Sequence, residues 1–408
     1  MTRSRFFFLR RRLDALALVL AMAAISVLVS AGKVLFGALA VSGLVLAVIR
    51  PKSWNSAPKV FSLLLAAYCI WSIGLSLLRG EGLDGNRLLS YAAIELAVVF
   101  LPLGLFFIRK PLDAMILGAR IGVVALLLAT VTEFWLTGER IGLGRNPAIL
   151  GFMVAAAGLI ARLPMDKPVR FLPNGRWWLY VSLVPALLTQ TRAAWGVYPA
   201  MAVLDMVELG RSALRRRDKN SLAVMAIAGV VAAVVLLPFV STIVERGQSG
   251  MVEIHRYETT GVATGSVDVR LAMWDSALQV LAQTPAIGVG HVNKMAIVSE
   301  NAGVNKAEVG KYTHLHNLVV DEALNSGLIG LSLLLLVFGC FIVSVFVQSR
   351  NVLLRETAVV FVFLVFSYGS FHGVLLNEWM IILVFGFMSV TLTDLARRRR
   401  ALAIRQRL

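Results

Sequence analysis

The recurrence of apolar runs about one bilayer long constrains this chain more than any other feature. Twelve candidate segments lie near residues 13–31, 34–49, 59–78, 88–108, 112–137, 146–162, 177–191, 193–209, 221–242, 318–348, 355–373 and 377–394. A helix needs roughly 20 apolar residues to span a bilayer. No segment alternates with the period of a strand, and a span in lipid must satisfy its own backbone hydrogen bonds. Of the 408 residues, 58% are hydrophobic and only 15% charged, more apolar surface than a soluble domain carries. The expectation is an all-α integral membrane protein with about 12 transmembrane helices.

One stretch breaks the pattern. Residues 241–316 form the only long hydrophilic interval, which divides the chain into a bundle over 1–240, a loop with short helices over 241–316, and a last group of helices with a basic tail over 317–408. The net charge of +17 points toward nucleic acid until its distribution is read. With the N-terminus inside, the cytoplasmic connections hold 27 of the 40 Lys and Arg and the opposite side holds 12. That is the positive-inside bias, so no nucleic-acid partner is expected. Arg10 to Arg12, Arg215 to Arg217 and Arg397 to Arg400 would lie against anionic headgroups of membrane lipids. Twelve spans put both termini in the cytoplasm and the long loop outside, which in a bacterial inner membrane means the periplasm. Val29-Ser30-Ala31 looks like a signal cleavage site, but an uncleaved first helix is expected.

The chemistry is expected on that outer side. His255, His291, His314, His316 and His372 all fall in or beside outer connections, and histidine is the commonest general base near neutral pH. Cys69 and Cys340 lie inside spans, so no disulfide framework, thiolate metal site or cysteine nucleophile is expected outside. His314 and His316 point apart on a helix and share a face only if extended. No HExxH motif or cysteine pair accompanies them, and no metal or other cofactor is expected. Three arginines stand at outer positions: Arg145 before Asn146-Pro147, Arg192 in Gln190-Thr-Arg-Ala-Ala-Trp195, and Arg270 four residues before Trp274. A guanidinium pairs bidentately with phosphate oxygens, and at a membrane rim it can grip a diphosphate whose tail stays in lipid. The alternative is an arginine that snorkels to water or pairs with a loop carboxylate such as Asp268 or Asp275.

Glu95, Asp113, Arg120 and Glu133 fall within spans, where charge is costly unless paired. A lipid or solute transporter would use them as a path, whereas Arg120 with Asp113 or Glu95 reads equally well as a structural ion pair. The chain has no Walker A motif, GxSxG elbow or dinucleotide fingerprint. The free energy of any reaction must then come from an activated substrate, and a lipid diphosphate supplies it without ATP.

At these residues the chain resembles the O-antigen ligase/polymerase superfamily. The resemblance rests on the Gln190-Thr-Arg-Ala-Ala-Trp195 turn, on Arg270 with Trp274 closed by Pro285-x-x-Gly-Val-Gly290, and on His316-Asn317 followed by Glu322, Ser326-Gly327 and Gly330. It implies a GT-C-like, metal-independent, inverting glycosyltransferase. The lipopolysaccharide O-antigen ligases are most similar. They imply a donor glycan on undecaprenyl diphosphate and an acceptor hydroxyl on lipid A-core. O-antigen polymerases and O-linked oligosaccharyltransferases share the same features. The implied catalytic residues are His316 as general base with Arg192 and Arg270 holding the diphosphate. Arg145, His314, Asn317 and Trp274 are expected to bind substrate, with His314 the alternative base. The three catalytic groups are expected to converge at the periplasmic mouth of the bundle.

Overall fold

The structure is a computed structural model that describes residues 3–82, 86–216, 244–245 and 247–405. All regular elements among these residues are helices. The expected span at 221–242 lies outside the described residues. Two compact units are present. The first comprises residues 1–196, 285–292 and 316–408, and the second comprises 197–284 and 293–315.

Among the described residues, six helices, all of the first unit, are long and apolar enough to cross a membrane: Val29–Ile49, Lys59–Leu78, Pro111–Thr137, Leu318–Gln348, Val352–Gly369 and Glu378–Ala401. The most apolar stretch of Glu378–Ala401 is 89% buried in protein, against 28% for that of Val29–Ile49. The first is therefore the central column and the second a peripheral, lipid-facing one. Arg3–Val27 precedes them, and its break from Val29–Ile49 is the single residue Leu28. An apolar residue marks that turn, so nothing in the sequence punctuates it.

Other expected spans are built from shorter pieces. Residues 88–108 give Arg87–Val99 and Leu101–Gly104, and residues 177–191 give Trp178–Val181 and Leu183–Leu188. Pro102 and Pro185 explain both breaks, because each ring clashes with the carbonyl four residues back. Pro147–Ala161 is short but almost wholly buried, its Ala and Gly residues letting neighbours approach closely.

Five helices begin on an asparagine whose side-chain oxygen accepts from a backbone N–H one turn in: Asn86, Asn146, Asn317, Asn351 and Asn377. Each such cap contributes on the order of 1 kcal/mol. At the other end of Pro147–Ala161, the fully buried Arg120 donates to the carbonyls of Ala161, Leu163 and Leu172 at 2.9, 2.6 and 2.9 Å. Its hydrogen bonds go to helix-end and loop carbonyls, rather than to the carboxylates of Asp113 or Glu95, because the last carbonyls of a helix lack partners of their own. Glu133 accepts from the Leu143 amide at 3.0 Å, and Asp113 accepts from the Asp166 amide at 3.2 Å.

The long Leu318–Gln348 helix is interrupted at Gly327 (φ 72°, ψ −179°). The Pro285–Gly290 strip fills the break. Leu328 and Ile329 amides donate to Pro285 and Ala286 carbonyls at 2.8 and 3.4 Å, and the Val289 amide donates to the Leu324 carbonyl at 2.7 Å. Arg79 donates to the carbonyls of Asn325, Ile287 and Gly288 at 3.0, 2.5 and 3.0 Å. Trp71 Nε1 donates to the Ser326 carbonyl at 2.8 Å. A Cβ at Gly327 would sit 2.0 Å from the Ala286 oxygen, so only glycine fits. Two sequence motifs, Pro285–Gly290 and Ser326-Gly327, are thus halves of one backbone junction.

The second unit packs around Asp268–Gln283 and Lys294–Asn301. Asn305 binds both sides of a turn, accepting from the Ala263 amide and donating to the Gly261 carbonyl, each at 2.8 Å. Ser276 Oγ donates to the Val298 carbonyl at 2.6 Å and joins the two helices.

Candidate functional site

The Gln190–Trp195 turn is rigid, and its arginine points outward. Thr191 is buried, and its hydroxyl donates to the Pro147 carbonyl at 3.0 Å. Thr189 Oγ1 donates to the Ala186 carbonyl at 2.7 Å, and Trp195 Nε1 donates to the same carbonyl at 3.1 Å. Arg140 clamps the turn from the next segment, with Nε donating to the Thr189 carbonyl at 2.7 Å. Gln190 holds a left-handed backbone (φ 50°), which is uncommon for a residue with a side chain. Arg192, by contrast, is exposed, and its guanidinium has no hydrogen-bond or ion-pair partner among the described residues.

His316 is also held at positive φ (φ 49°), as are Gln190 and Leu143. Its Nδ1 lies 2.7 Å from the Phe371 carbonyl oxygen. A carbonyl only accepts, so this bond requires the proton on Nδ1 and makes Nε2 the acceptor nitrogen. A neutral imidazole in that tautomer is set up to take a proton. The His372 ring lies 6.4 Å from that of His316 and 4.8 Å from that of Tyr368.

These contacts place Arg192 and His316 at one end of the first unit. The Arg192–Ala194 turn packs on Val352–Gly369 and on Pro147–Ala161. Tyr368, in the last turn of the first of these helices, has its ring 5.1 Å from Phe152 in the second. His372 follows four residues later and borders His316. Tyr368 and Arg140 were not singled out in the sequence. The Tyr368 hydroxyl is buried without a hydrogen-bond partner among the described residues, within electrostatic reach of Arg140. An apolar run surrounds Tyr368, so the sequence carries no signal for it beyond His372.

Arg145 lies at the same end but is engaged. Its guanidinium donates to the carbonyls of Ser26, at 3.3 Å, and of Val27, and stands 5.5 Å from the centre of the Trp379 ring. Burial pushes its pKa below the usual arginine value. Lys33 pairs with Glu378 and also faces Trp379. Asn317 Oδ1 accepts from the Val319 and Val320 amides at 3.1 and 3.3 Å, which makes Asn317 a helix cap first.

Arg270, Trp274 and His314 belong to the second unit. Arg270 and Trp274 are four residues apart on Asp268–Gln283 and share a helix face. Trp274 Nε1 donates to the Leu315 carbonyl at 2.9 Å, and His314 Nδ1 lies 3.3 Å from the Thr313 hydroxyl. Asp268 begins the helix, fully buried. Burial raises its pKa, but Arg256 and the amides of Thr264, Gly265 and Val269 outweigh that and hold it below the ordinary value. Asp268 is thus paired with Arg256, and Asp275 accepts from the Tyr257 hydroxyl at 2.9 Å. Among the described residues, no three His, Cys, Asp or Glu side chains gather as metal ligands would.

Residues 178–335 match the family model described as O-Antigen ligase. The matched segment contains Arg192, Arg270, Trp274, His314, His316 and Asn317, whereas Arg145 precedes it. No curated protein matches the chain.

Proposed function

We propose, from the premise that residues 178–335 belong to the O-antigen ligase superfamily, that this multi-pass membrane protein is an O-antigen ligase. It moves a glycan from undecaprenyl diphosphate to a sugar hydroxyl of lipid A-core at the periplasmic face of the inner membrane. His316 is the base. Its Nε2 takes the proton of the acceptor hydroxyl as that oxygen attacks the anomeric carbon. The bond from that carbon to the diphosphate oxygen breaks, and the electron pair leaves with the diphosphate. Direct displacement inverts the anomeric centre. Arg192 and Arg270 hold the departing diphosphate, and fixed cationic donors at developing charge are worth about 10²–10³ in rate each. General-base help adds about 10²–10⁴. Trp274, His314 and Asn317 border the sugars, and Arg145 steadies the rim beside them.

The observation that supports this reading is the His316 Nδ1 contact with the Phe371 carbonyl, which leaves Nε2 as the acceptor of a neutral imidazole, in a segment that matches the family. The test uses purified protein, a polyprenyl-diphosphate-linked oligosaccharide, and either lipid A-core or a second copy of the donor as acceptor. Ligase action predicts glycosylated lipid A-core without added metal or nucleotide. Chain growth on the second donor, with lipid A-core untouched, would make the protein a polymerase instead.

A further inference from the structure

A second charged site lies at the far end of the first unit. Arg11, Arg50, Arg109 and Arg397, from four separate segments, line a cavity of about 460 Å³ together with Phe106 and Phe107. That volume is in the range of small-ligand sites. No acidic residue lines it among the described residues. Arg397 Nη1 donates to the Ile108 carbonyl, which fixes the guanidinium, while its Nη2 is buried with no hydrogen-bond partner among the described residues. Arg50 is held where the Val29–Ile49 helix ends, its amide bonded to the Leu46 carbonyl and Pro51 following.

The neighbouring cavity shows that this is unusual. There Arg398 meets Asp394, Asp166 and Asp113 at 2.5, 3.6 and 3.8 Å, and Lys110 pairs with Asp166 at 2.7 Å. Arg398 and Lys110 there are balanced by the protein's own carboxylates. One carboxylate, Asp394, acts on Arg397 but is itself paired with Arg398, so the four arginines gather with little counter-charge among the described residues, which is unfavourable. Its place along the last helix bears on its level in a bilayer. Arg397 is 19 residues along one continuous helix from Glu378, which pairs with Lys33 beside Arg145 and Trp379. At 1.5 Å per residue that is about 28 Å, one hydrocarbon thickness. If the Glu378 end lies at one headgroup layer, the cavity lies at the other. Phe106 and Phe107 stand edge to face at 5.2 Å, and the Arg10 guanidinium lies 4.9 Å from the Phe107 ring centre.

We infer that this cavity binds the phosphate of an anionic phospholipid headgroup, one lipid per chain, on the membrane face opposite His316. Guanidinium forks grip phosphate oxygens bidentately, and the two phenylalanines pack against the lipid's apolar portion. This site goes beyond the transfer reaction and does not depend on it.

The experiment is native mass spectrometry of the full chain in neutral detergent with phosphatidylglycerol, phosphatidylcholine or glycerol phosphate added. Wild-type protein is expected to keep one phosphatidylglycerol. Neutralising two cavity arginines, Arg50→Gln with Arg109→Gln, should lower retention at least about tenfold, since each basic residue at a lipid surface contributes several-fold. The pair Arg170→Gln with Arg400→Gln, exposed and outside the cavity, removes equal charge and should bind as wild type does. Equal loss in both double variants would reduce the effect to diffuse surface charge and overturn the site. Equal retention of phosphatidylcholine by wild type would overturn it without any variant. Displacement of the lipid by equimolar glycerol phosphate would assign the site to soluble phosphate and overturn the lipid.

Discussion

Two arginines of the first unit show how differently this fold uses the same side chain. Arg79 directs its guanidinium at three backbone carbonyls around the Gly327 junction. Arg192 stands on a turn whose neighbours are bound on both sides, yet it has no protein partner among the described residues. The fold holds Arg79 as part of its own scaffold and holds out Arg192 for something else. Type, charge and nearness to helix ends are the same. What separates them is where the donors go.

The sharpest way to break the comparison is at the junction. Gly327→Ala should give the largest loss, because the new Cβ meets the Ala286 oxygen at 2.0 Å and a left-handed backbone is strained for alanine. Arg79→Met removes three charge-assisted hydrogen bonds worth about 1.5–3 kcal/mol each. Both variants should lower the melting temperature in detergent strongly, and a wild-type melting curve for Arg79→Met would refute its scaffold role. Arg192→Ala should behave in the opposite way, with unchanged melting and transfer reduced about 10²–10³-fold. An Arg192→Ala protein that transfers normally would show that the exposed guanidinium is only a surface charge.

A smaller effect is expected in the second unit. The Asp268 pKa is held below its ordinary value of 3.8, so the carboxylate stabilises the fold fully above that pH. The contribution is lost as pH falls through the depressed folded value. Limited proteolysis of 247–315 should therefore accelerate on acidification below pH 3.8, and Asp268→Asn should remove that part of the pH dependence. An unchanged acid response in the variant would contradict the assignment. The smallest effect is at Asn317. Asn317→Ala should cost about 1 kcal/mol as a lost helix cap, with Asn317→Asp retaining it. If Asn317→Asp abolishes transfer while melting is unchanged, the residue touches substrate as well.

Much of this was legible in the sequence. Apolar runs located several long helices within a few residues, such as Lys59–Leu78, Pro111–Thr137 and Leu318–Gln348. Charged extensions carry Arg3–Val27 and Glu378–Arg405 well beyond the expected 13–31 and 377–394. The Gln190–Trp195 and His316-Asn317 motifs fall where the ordered turns are. The junction was not legible. That Pro285–Gly290 enters the break at Gly327 is a long-range backbone fit, and periodicity registers only local pattern. Arg79 was invisible for the same reason, as its partners are carbonyls and every residue has one. Asn317 is expected at the substrate because it follows His316, and the structure shows it as a helix cap. The caps at Asn86, Asn146, Asn351 and Asn377 show the more general cause, a fold that starts helix after helix on asparagine. Arg120 and Arg145 were read by their charge, whereas the structure uses them as donors to helix-end carbonyls.

The central claim is that the imidazole of His316, its Nδ1 tied to the Phe371 carbonyl, removes the acceptor's proton. The most direct measurement is transfer by purified His316→Ala and His316→Gln proteins across pH 5 to 9, beside their melting temperatures. The account predicts native melting, a rate reduced about 10²–10⁴-fold, and loss of the acidic limb that wild type shows as the imidazole protonates. Wild-type rates from either variant, or an acidic limb that survives in both, would contradict it.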